Sequence, residues 1–97
     1  MRPSEVRLWA SPWVSGTRAA AYFGPVSIEL FVPGTDPFEW EKAQTELLEM
    51  LKLRTAVLGG NAVVGMEVSL DPFAEQDGAR GLRLSVLGTA ARLESYP

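Results

Sequence analysis

The sequence predicts a single α+β domain over residues 1–97, with its elements in the order β-β-α-β-β and one long helix on one face of a small mixed or antiparallel sheet. Four segments alternate apolar and polar residues, as half-buried strands do, and the middle of the chain changes to helical spacing. A length of 97 residues is enough for one hydrophobic core. The composition, 46% hydrophobic and 22% charged, is that of an ordinary globular protein.

Two strands are predicted before the helix. Residues 6–10 alternate weakly and are followed by Pro12, so we expect a short edge strand there. Residues 19–32 form a longer strand, and its apolar side carries Val26, Ile28, Leu30 and Val32. Pro25 lacks an N–H and follows Gly24, so we expect a β-bulge at this point.

The helix is predicted from Pro37 to Leu58. Asp36 can cap the first turn, and proline suits the first helical position. Apolar residues recur at helical spacing and form one stripe: Trp40, Ala43, Leu47, Leu48, Leu51 and Leu58. Gly59 or Gly60 is expected to take the positive φ that ends a helix, which explains why glycines stand before the next strand.

The last two strands are predicted to form an antiparallel hairpin. The first has an apolar side at Ala62, Val64, Met66, Val68 and Leu70. The second runs from Leu82 to Leu93, with a bulge at Gly88 where the alternation changes phase. Matching the apolar sides places Leu70 opposite Leu82 and Met66 opposite Val86. Residues 71–81, with two turn dipeptides, are expected to form a long hairpin loop.

One helix can cover only one face of this sheet, because a helix is about 10 Å wide. The other face is expected to carry several apolar side chains: Phe31, Val63, Leu87, Ala91 and Leu93. Burying them requires a second copy of the chain or another partner. The sequence therefore predicts a homo-oligomer.

The stretch LGGNAVVGMEVSL, followed later by VLGTAARLE, resembles the signature of the YbjQ-like family. The matching positions are Gly59, Asn61, Ala62, Val63, Val64, Gly65, Gly88, Thr89 and Ala90. The family consists of small proteins that are described as heavy-metal-binding. The resemblance implies an α+β domain that assembles as a homopentamer and has no established biochemical activity.

Composition excludes several classes of partner and location. The net charge is -3, the pI is near 4.9, and the nine basic residues are scattered, so no nucleic acid is expected to bind. There is no cysteine, which fits a reducing compartment. No segment resembles a signal peptide or the ~18 apolar residues of a membrane span. We expect a cytoplasmic protein with no membrane partner.

No metal or cofactor is expected. Soft metals need thiolate, thioether or imidazole donors, and the chain has no Cys, no His and only three Met. Asp71, Glu75 and Asp77 could hold a hard cation, but their spacing is not that of an EF-hand. A solvated acidic loop is the favoured interpretation of these three residues.

The only candidates for acid/base catalysis are Glu29 and Glu67, which are predicted mid-strand on the less apolar face. The favoured alternative is that they face solvent or pair with Arg83. The three tryptophans, Trp9, Trp13 and Trp40, could stack a flat ligand, although packing in the core or an interface is favoured. Thr89 is either a functional hydroxyl or an ordinary strand residue.

These observations favour a ring-forming homo-oligomer that is not an enzyme and has no catalytic residues, and the resemblance to the YbjQ-like family implies that the oligomer is a pentamer. The alternative is an oligomer that binds a small ligand in a pocket between subunits, using the tryptophans or the two glutamates. The ligand itself is not indicated by the sequence.

Overall fold

The computed structural model describes residues 1–96 and has the predicted order of elements. A short 3-10 turn, Pro3–Glu5, precedes strand β1 (Arg7–Leu8), strand β2 (Thr17–Pro33), helix α1 (Pro37–Val57), strand β3 (Ala62–Gln76) and strand β4 (Ala79–Ser95). The four strands form one mixed sheet in the order β1-β3-β4-β2. Strand β1 is parallel to β3, and the other neighbouring pairs are antiparallel. The predicted α+β class is confirmed.

Strand β1 is the edge strand that the sequence predicted, and the chain after it continues along β3. The amide of Trp9 donates to the carbonyl of Val63 at 2.8 Å, and the amide of Gly65 donates to that of Ser11 at 2.8 Å. These bonds cover the outer edge of β3 only as far as Met66, whose amide donates to Trp9. The rest of that edge, toward Gln76, has no neighbouring strand among residues 1–96.

Strand β2 is longer than predicted and contains two irregularities. Its register with β4 shifts between Ala19 and Ala21 and again between Tyr22 and Gly24. Gly24 has a φ of 95°, which a residue with a side chain adopts rarely. The bulge predicted beside Pro25 is therefore confirmed, one or two residues earlier in the chain.

Helix α1 has the predicted beginning and end. The Asp36 carboxylate accepts a hydrogen bond from the amide of Phe38 at 2.9 Å, which satisfies one amide of the first turn. The last helical residue is Val57, and Gly59 follows the cap with a φ of 91°. Leu58 was expected in the apolar stripe but is 43% exposed, because it lies beyond the last helical turn.

The core lies between α1 and the sheet, mainly over β2 and β4. The helix contributes Ala43, Leu47, Leu51 and Ala56, and the sheet contributes Val26, Ile28, Val63, Leu82, Leu84, Val86 and Ala90. Val63 was expected on the opposite face, which is wrong: it is fully buried in this core beside Ala90. A bulge between Val64 and Glu67 explains the error, because it reverses the facing of β3 partway along the strand.

The β3–β4 hairpin differs most from its prediction. Strand β3 continues past Leu70 to Gln76, and β4 begins at Ala79, so only a two-residue turn at Asp77 and Gly78 joins them. The φ values of these two residues are 51° and 80°. The predicted long loop is therefore wrong. Pro72 and Phe73 form a bulge inside β3, and the Asp71 carboxylate accepts from the amide of Phe73 at 3.0 Å. This bulge lets a proline stand within a strand.

The predicted register of the hairpin is also wrong, by two residues. Leu70 lies opposite Leu84, and Val86 lies opposite Val68. Since a shift of two keeps each side chain on its own face, the predicted facing of Leu70 is correct. The bulge predicted at Gly88 of β4 is also wrong, because the register of β4 with β2 is regular there. The irregularity is in the neighbouring strand β3, between Val64 and Glu67.

The molecule is elongated. Its extents are 53 × 22 × 21 Å and its radius of gyration is 15.0 Å, against about 12.5 Å for a compact chain of this length. Its accessible surface is 6339 Å², whereas a compact monomer of 10.6 kDa has about 5,500 Å². Roughly 800 Å² of surface is therefore in excess. Within residues 1–96, no helix is both long and apolar enough to cross a membrane.

Candidate functional site

The two candidate catalytic glutamates lie on the face of the sheet that α1 does not cover. Glu29 and Glu67 border one shallow cavity of about 250 Å³. Its other walls include the polar side chains Ser27, Ser69 and Ser85 and the apolar Leu87. The alternation in β2 and in the second half of β3 thus predicted correctly that both carboxylates share a face.

Strand β4 separates the two carboxylates. Glu29 lies opposite Ser85, and Glu67 lies opposite Leu87. Because neighbouring strands are about 4.8 Å apart, the backbones of two residues on either side of a strand are more than about 9 Å apart. The Glu29 carboxylate instead pairs with the Arg83 guanidinium at 3.2 Å. The favoured pairing with Arg83 is confirmed for Glu29, and the backbone separation argues against a shared proton.

The acidic residues near the hairpin turn do not converge. Asp71 lies on β3 opposite Arg83, Glu75 lies opposite Arg80, and Asp77 is in the turn itself. Among residues 1–96, no three Cys, His, Asp or Glu side chains come close enough to hold a metal ion. The expected solvated loop is a strand pair, and the absence of a bound metal stays a prediction.

The three tryptophans are in different surroundings. Trp9 is 39% exposed and lies beside Asn61, near the edge of the sheet, whereas Trp13 is 70% exposed. Trp40 packs against the core, and its indole Nε1 donates to the carbonyl of Gly34 at 3.1 Å. Trp9 and Trp40 border separate cavities, so the three rings do not form one stacking site.

The cavity beside Trp40 is the largest of those described, at about 540 Å³. It lies between the start of α1 and the hairpin, and its walls are Thr35, Trp40, Pro72, Phe73, Glu75, Arg80 and Gly81. The Phe73 side chain at its border is 87% exposed. An exposed aromatic ring beside a half-buried one gives this cavity an apolar character.

A strip of apolar side chains, which we call the hairpin strip, runs along β3. It consists of Val68 (48% exposed), Leu70 (53%) and Phe73 (87%). The first two face the same side as the core residues Leu84 and Val86 of β4. They stay uncovered because α1 packs chiefly on β2 and β4 and does not extend over this part of β3.

A second uncovered apolar surface, the helix groove, lies on the β2 side. It is a depression of about 320 Å³ lined by Ile28, Met50, Leu53, Arg54 and Val57. The helical residues at positions 50, 53 and 57 are 42%, 54% and 80% exposed. The Arg54 guanidinium donates to the carbonyl of Ser27 at 2.8 Å, so part of the β2 backbone is already bonded here.

Asn61 is the residue whose role sequence reasoning missed. The sequence singled it out only as a position that matches the family signature, but its side chain bonds the backbone of Leu93 in both directions. Its Nδ2 donates to the Leu93 carbonyl at 2.9 Å, and its Oδ1 accepts from the Leu93 amide at 2.8 Å. Its own backbone bonds Arg7 and Ala91. Asn61 therefore connects β1 and β4 at the end of the helix, whereas Thr89 is an ordinary half-buried strand residue.

No family model matches the sequence. The structure is similar to the crystal structure, at 2.73 Å resolution, of a protein of unknown function from Pediococcus pentosaceus ATCC 25745 that belongs to the DUF74 family. The TM-score is 0.70 and the identity is 15%, over 92% of this chain and 98% of that chain. DUF74 is the YbjQ-like family, to which the sequence showed a resemblance. At this identity the likeness shows a shared α+β fold, and fold alone does not assign an activity.

Proposed function

We propose that this chain is one domain of the YbjQ-like family that assembles into a homo-oligomeric ring in the cytoplasm and acts through that assembly, without catalysis. The observation that carries the proposal is the apolar surface left open on both sides of α1. The hairpin strip and the apolar helical residues of the helix groove, Met50, Leu53 and Val57, are uncovered in the single chain.

The amount of surface supports association. The excess of roughly 800 Å² over a compact monomer is about the area that one partner buries in a single interface of standard size, and each subunit of a ring has two such interfaces. Full burial of one large apolar side chain contributes about 1.5 to 3 kcal/mol, so three or four of them offset a substantial part of the cost of association. The surface expected to drive assembly was the face opposite α1, but of the five apolar residues expected there only Leu87, at 50%, is exposed.

The subunit number rests on the resemblance to the YbjQ-like family, which implies a pentamer. A closed ring needs a heterologous interface in which two different surfaces of the chain meet. The hairpin strip and the helix groove are two such surfaces, and both are present on every copy.

Native mass spectrometry together with sedimentation velocity tests this proposal. Freshly purified protein at micromolar concentration is expected to give a single oligomer whose mass is a whole multiple of 10.6 kDa, five for the pentamer. A monomer across that concentration range would contradict the assembly. A dimer or a trimer would contradict only the subunit number.

The cavity beside Trp40 favours a second candidate, binding of a small apolar or aromatic ligand. Its volume of about 540 Å³ is within the ~300–1,000 Å³ that is usual for ligand pockets. A double variant, Trp9→Phe with Trp13→Phe, leaves Trp40 as the only indole. Saturable quenching of its fluorescence by a member of an aromatic ligand panel is the expected result. Linear, non-saturating quenching by every member of the panel would exclude this candidate for the ligands tested.

A further inference from the structure

We propose that the hairpin strip of one copy packs into the helix groove of the next copy, with the Phe73 ring seated between Met50, Leu53 and Val57. The inference rests on the proposed assembly and specifies which surfaces meet in it. Each subunit then uses its hairpin strip toward one neighbour and its helix groove toward the other.

The shapes and chemistry of the two surfaces are complementary. Phe73 is carried on a bulge of a long hairpin and is 87% exposed, so it projects from the molecule. The helix groove is concave, about 320 Å³ in volume, and its floor is the buried side chain of Ile28. An aromatic side chain that fills an apolar pocket is the usual anchor of a protein interface.

The positions of the two surfaces favour a head-to-tail arrangement. The helix groove lies beside β2, which is one edge of the sheet, and the hairpin strip lies on β3, on the other side of β4. A chain with two different mating surfaces on opposite sides forms a ring or a filament, because each contact leaves one surface free at either end. A two-fold dimer buries both surfaces only if the strip and the groove of one subunit meet the groove and the strip of its partner at the same time, and their placement toward opposite edges of the sheet disfavours this.

Side-chain packing, not pairing of strand edges, is the expected contact at the groove. The carbonyl of Ser27 on the outer edge of β2 already accepts a hydrogen bond from Arg54 at 2.8 Å. An added strand would have to displace this bond. The apolar side chains of the groove need no such rearrangement. The excess surface of roughly 800 Å² matches what one partner of a stable interface buries.

Two single substitutions test the two surfaces separately. Phe73→Glu places a charge in the hairpin strip, and Leu53→Glu places one in the helix groove. Each variant is expected to sediment as a monomer of 10.6 kDa at concentrations where the natural chain is fully assembled. The matched control is Phe38→Glu, since Phe38 is 82% exposed and borders neither surface. This control is expected to assemble normally.

Mixing the two monomeric variants tests whether the surfaces mate with each other. Phe73→Glu keeps an intact groove, and Leu53→Glu keeps an intact strip, so an equal mixture has one functional contact and is expected to form dimers of one copy of each. A mixture that stays monomeric would overturn the pairing. If the natural chain assembles and either variant assembles equally well, the inference fails while the proposed function stands. A monomeric natural chain would overturn both.

Cross-linking provides a test that does not depend on charged substitutions. The chain has no cysteine, so Phe73→Cys and Leu53→Cys each introduce a single thiol. Under mild oxidation, a mixture of the two is expected to form a disulfide between position 73 of one copy and position 53 of another. Each variant alone is expected to remain uncross-linked. Efficient cross-linking of Phe73→Cys to itself, with no disulfide between position 73 and position 53 in the mixture, would overturn the inference.

Discussion

The helix-covered part of the sheet and the β3–β4 hairpin contain similar apolar residues, yet they differ sharply in burial. Leu84 and Leu70 lie opposite each other on neighbouring strands and face the same side, but Leu84 is fully buried and Leu70 is 53% exposed. The same holds for Val86, 1% exposed, and Val68, 48% exposed. The change occurs across one strand spacing of about 4.8 Å, because α1 covers β4 and leaves β3 open. Alternation predicts the side of a sheet but not which strands a helix covers.

The largest expected effect comes from truncating this pair of leucines. Leu84→Ala leaves a cavity in the core and is expected to lower the free energy of unfolding by about 2 to 5 kcal/mol. Leu70→Ala removes side-chain area that is half exposed in the single chain, so a loss of less than about 1 kcal/mol is expected. Urea unfolding at a dilution where the chain sediments as a monomer measures both. Equal losses would show that the contrast between the two regions is wrong.

The side chain of Asn61 gives the next effect. Asn61→Ala removes two hydrogen bonds to Leu93 and leaves that amide and carbonyl without their partner, so a loss of about 2 to 3 kcal/mol is expected. Gln44→Ala, which removes an exposed amide on α1, is the control and is expected to change the free energy of unfolding by less than about 0.5 kcal/mol. Urea unfolding of the two variants makes the comparison. A cost for Asn61→Ala as small as the control would mean that water replaces the amide at Leu93.

The features that the sequence predicted correctly are mostly local. Three features depend on residues that are only a few positions apart in the chain: the cap at Asp36, the end of the helix at Gly59 and the bulge near Gly24. The predictions that failed depend on pairing between distant residues. The bulges around Gly65 and Pro72 change the register and facing of β3, and neither is visible until β4 lies beside it.

The candidate site shows the same division. The favoured interpretation of Glu29, that it faces solvent or pairs with Arg83, agrees with the ion pair, which joins diagonal positions on neighbouring strands because Glu29 lies opposite Ser85. Alternation did not predict the hairpin strip or the helix groove, since both depend on where α1 lies across the sheet. Alternation also assigned Val63 to the open face, whereas the observed register of β3 with β4 places Val63 in the core. Which strands α1 covers is determined by how the helix packs on the sheet, and the alternation of residues along the sequence does not predict it.

Two glycines with positive φ, one beside the core and one in the hairpin turn, are expected to affect the two regions differently. Gly59 ends α1 at a φ of 91°, beside the core, and Gly59→Val is expected to destabilise the fold by more than about 1 kcal/mol. Gly78 has a φ of 80° in the hairpin turn, so Gly78→Val carries a similar strain in the protruding region. Hydrogen exchange is expected to show faster opening of the whole core for the first variant and of the hairpin alone for the second. Global loss of protection in both would show that the hairpin and the core unfold as one unit.

The smallest expected effect is a gain in stability within the covered region. Thr55 on α1 is fully buried, and its Oγ1 has no hydrogen-bond partner among residues 1–96. A buried hydroxyl without a partner costs about 1 to 3 kcal/mol in lost hydration, and valine has nearly the same shape without that group. Thr55→Val is therefore expected to raise the free energy of unfolding by about 1 kcal/mol.

Thr45→Val is the control, because Thr45 is exposed on the same helix and its Oγ1 donates to the Glu41 carbonyl at 3.4 Å. The control variant also loses a threonine hydroxyl, but that hydroxyl is exposed and its removal relieves no cost of burial. A change in the free energy of unfolding within about 0.5 kcal/mol is therefore expected. A loss of stability in Thr55→Val would mean that the buried hydroxyl is bonded in solution, for example to an internal water, and that the core beneath α1 is less dry than its apolar lining implies.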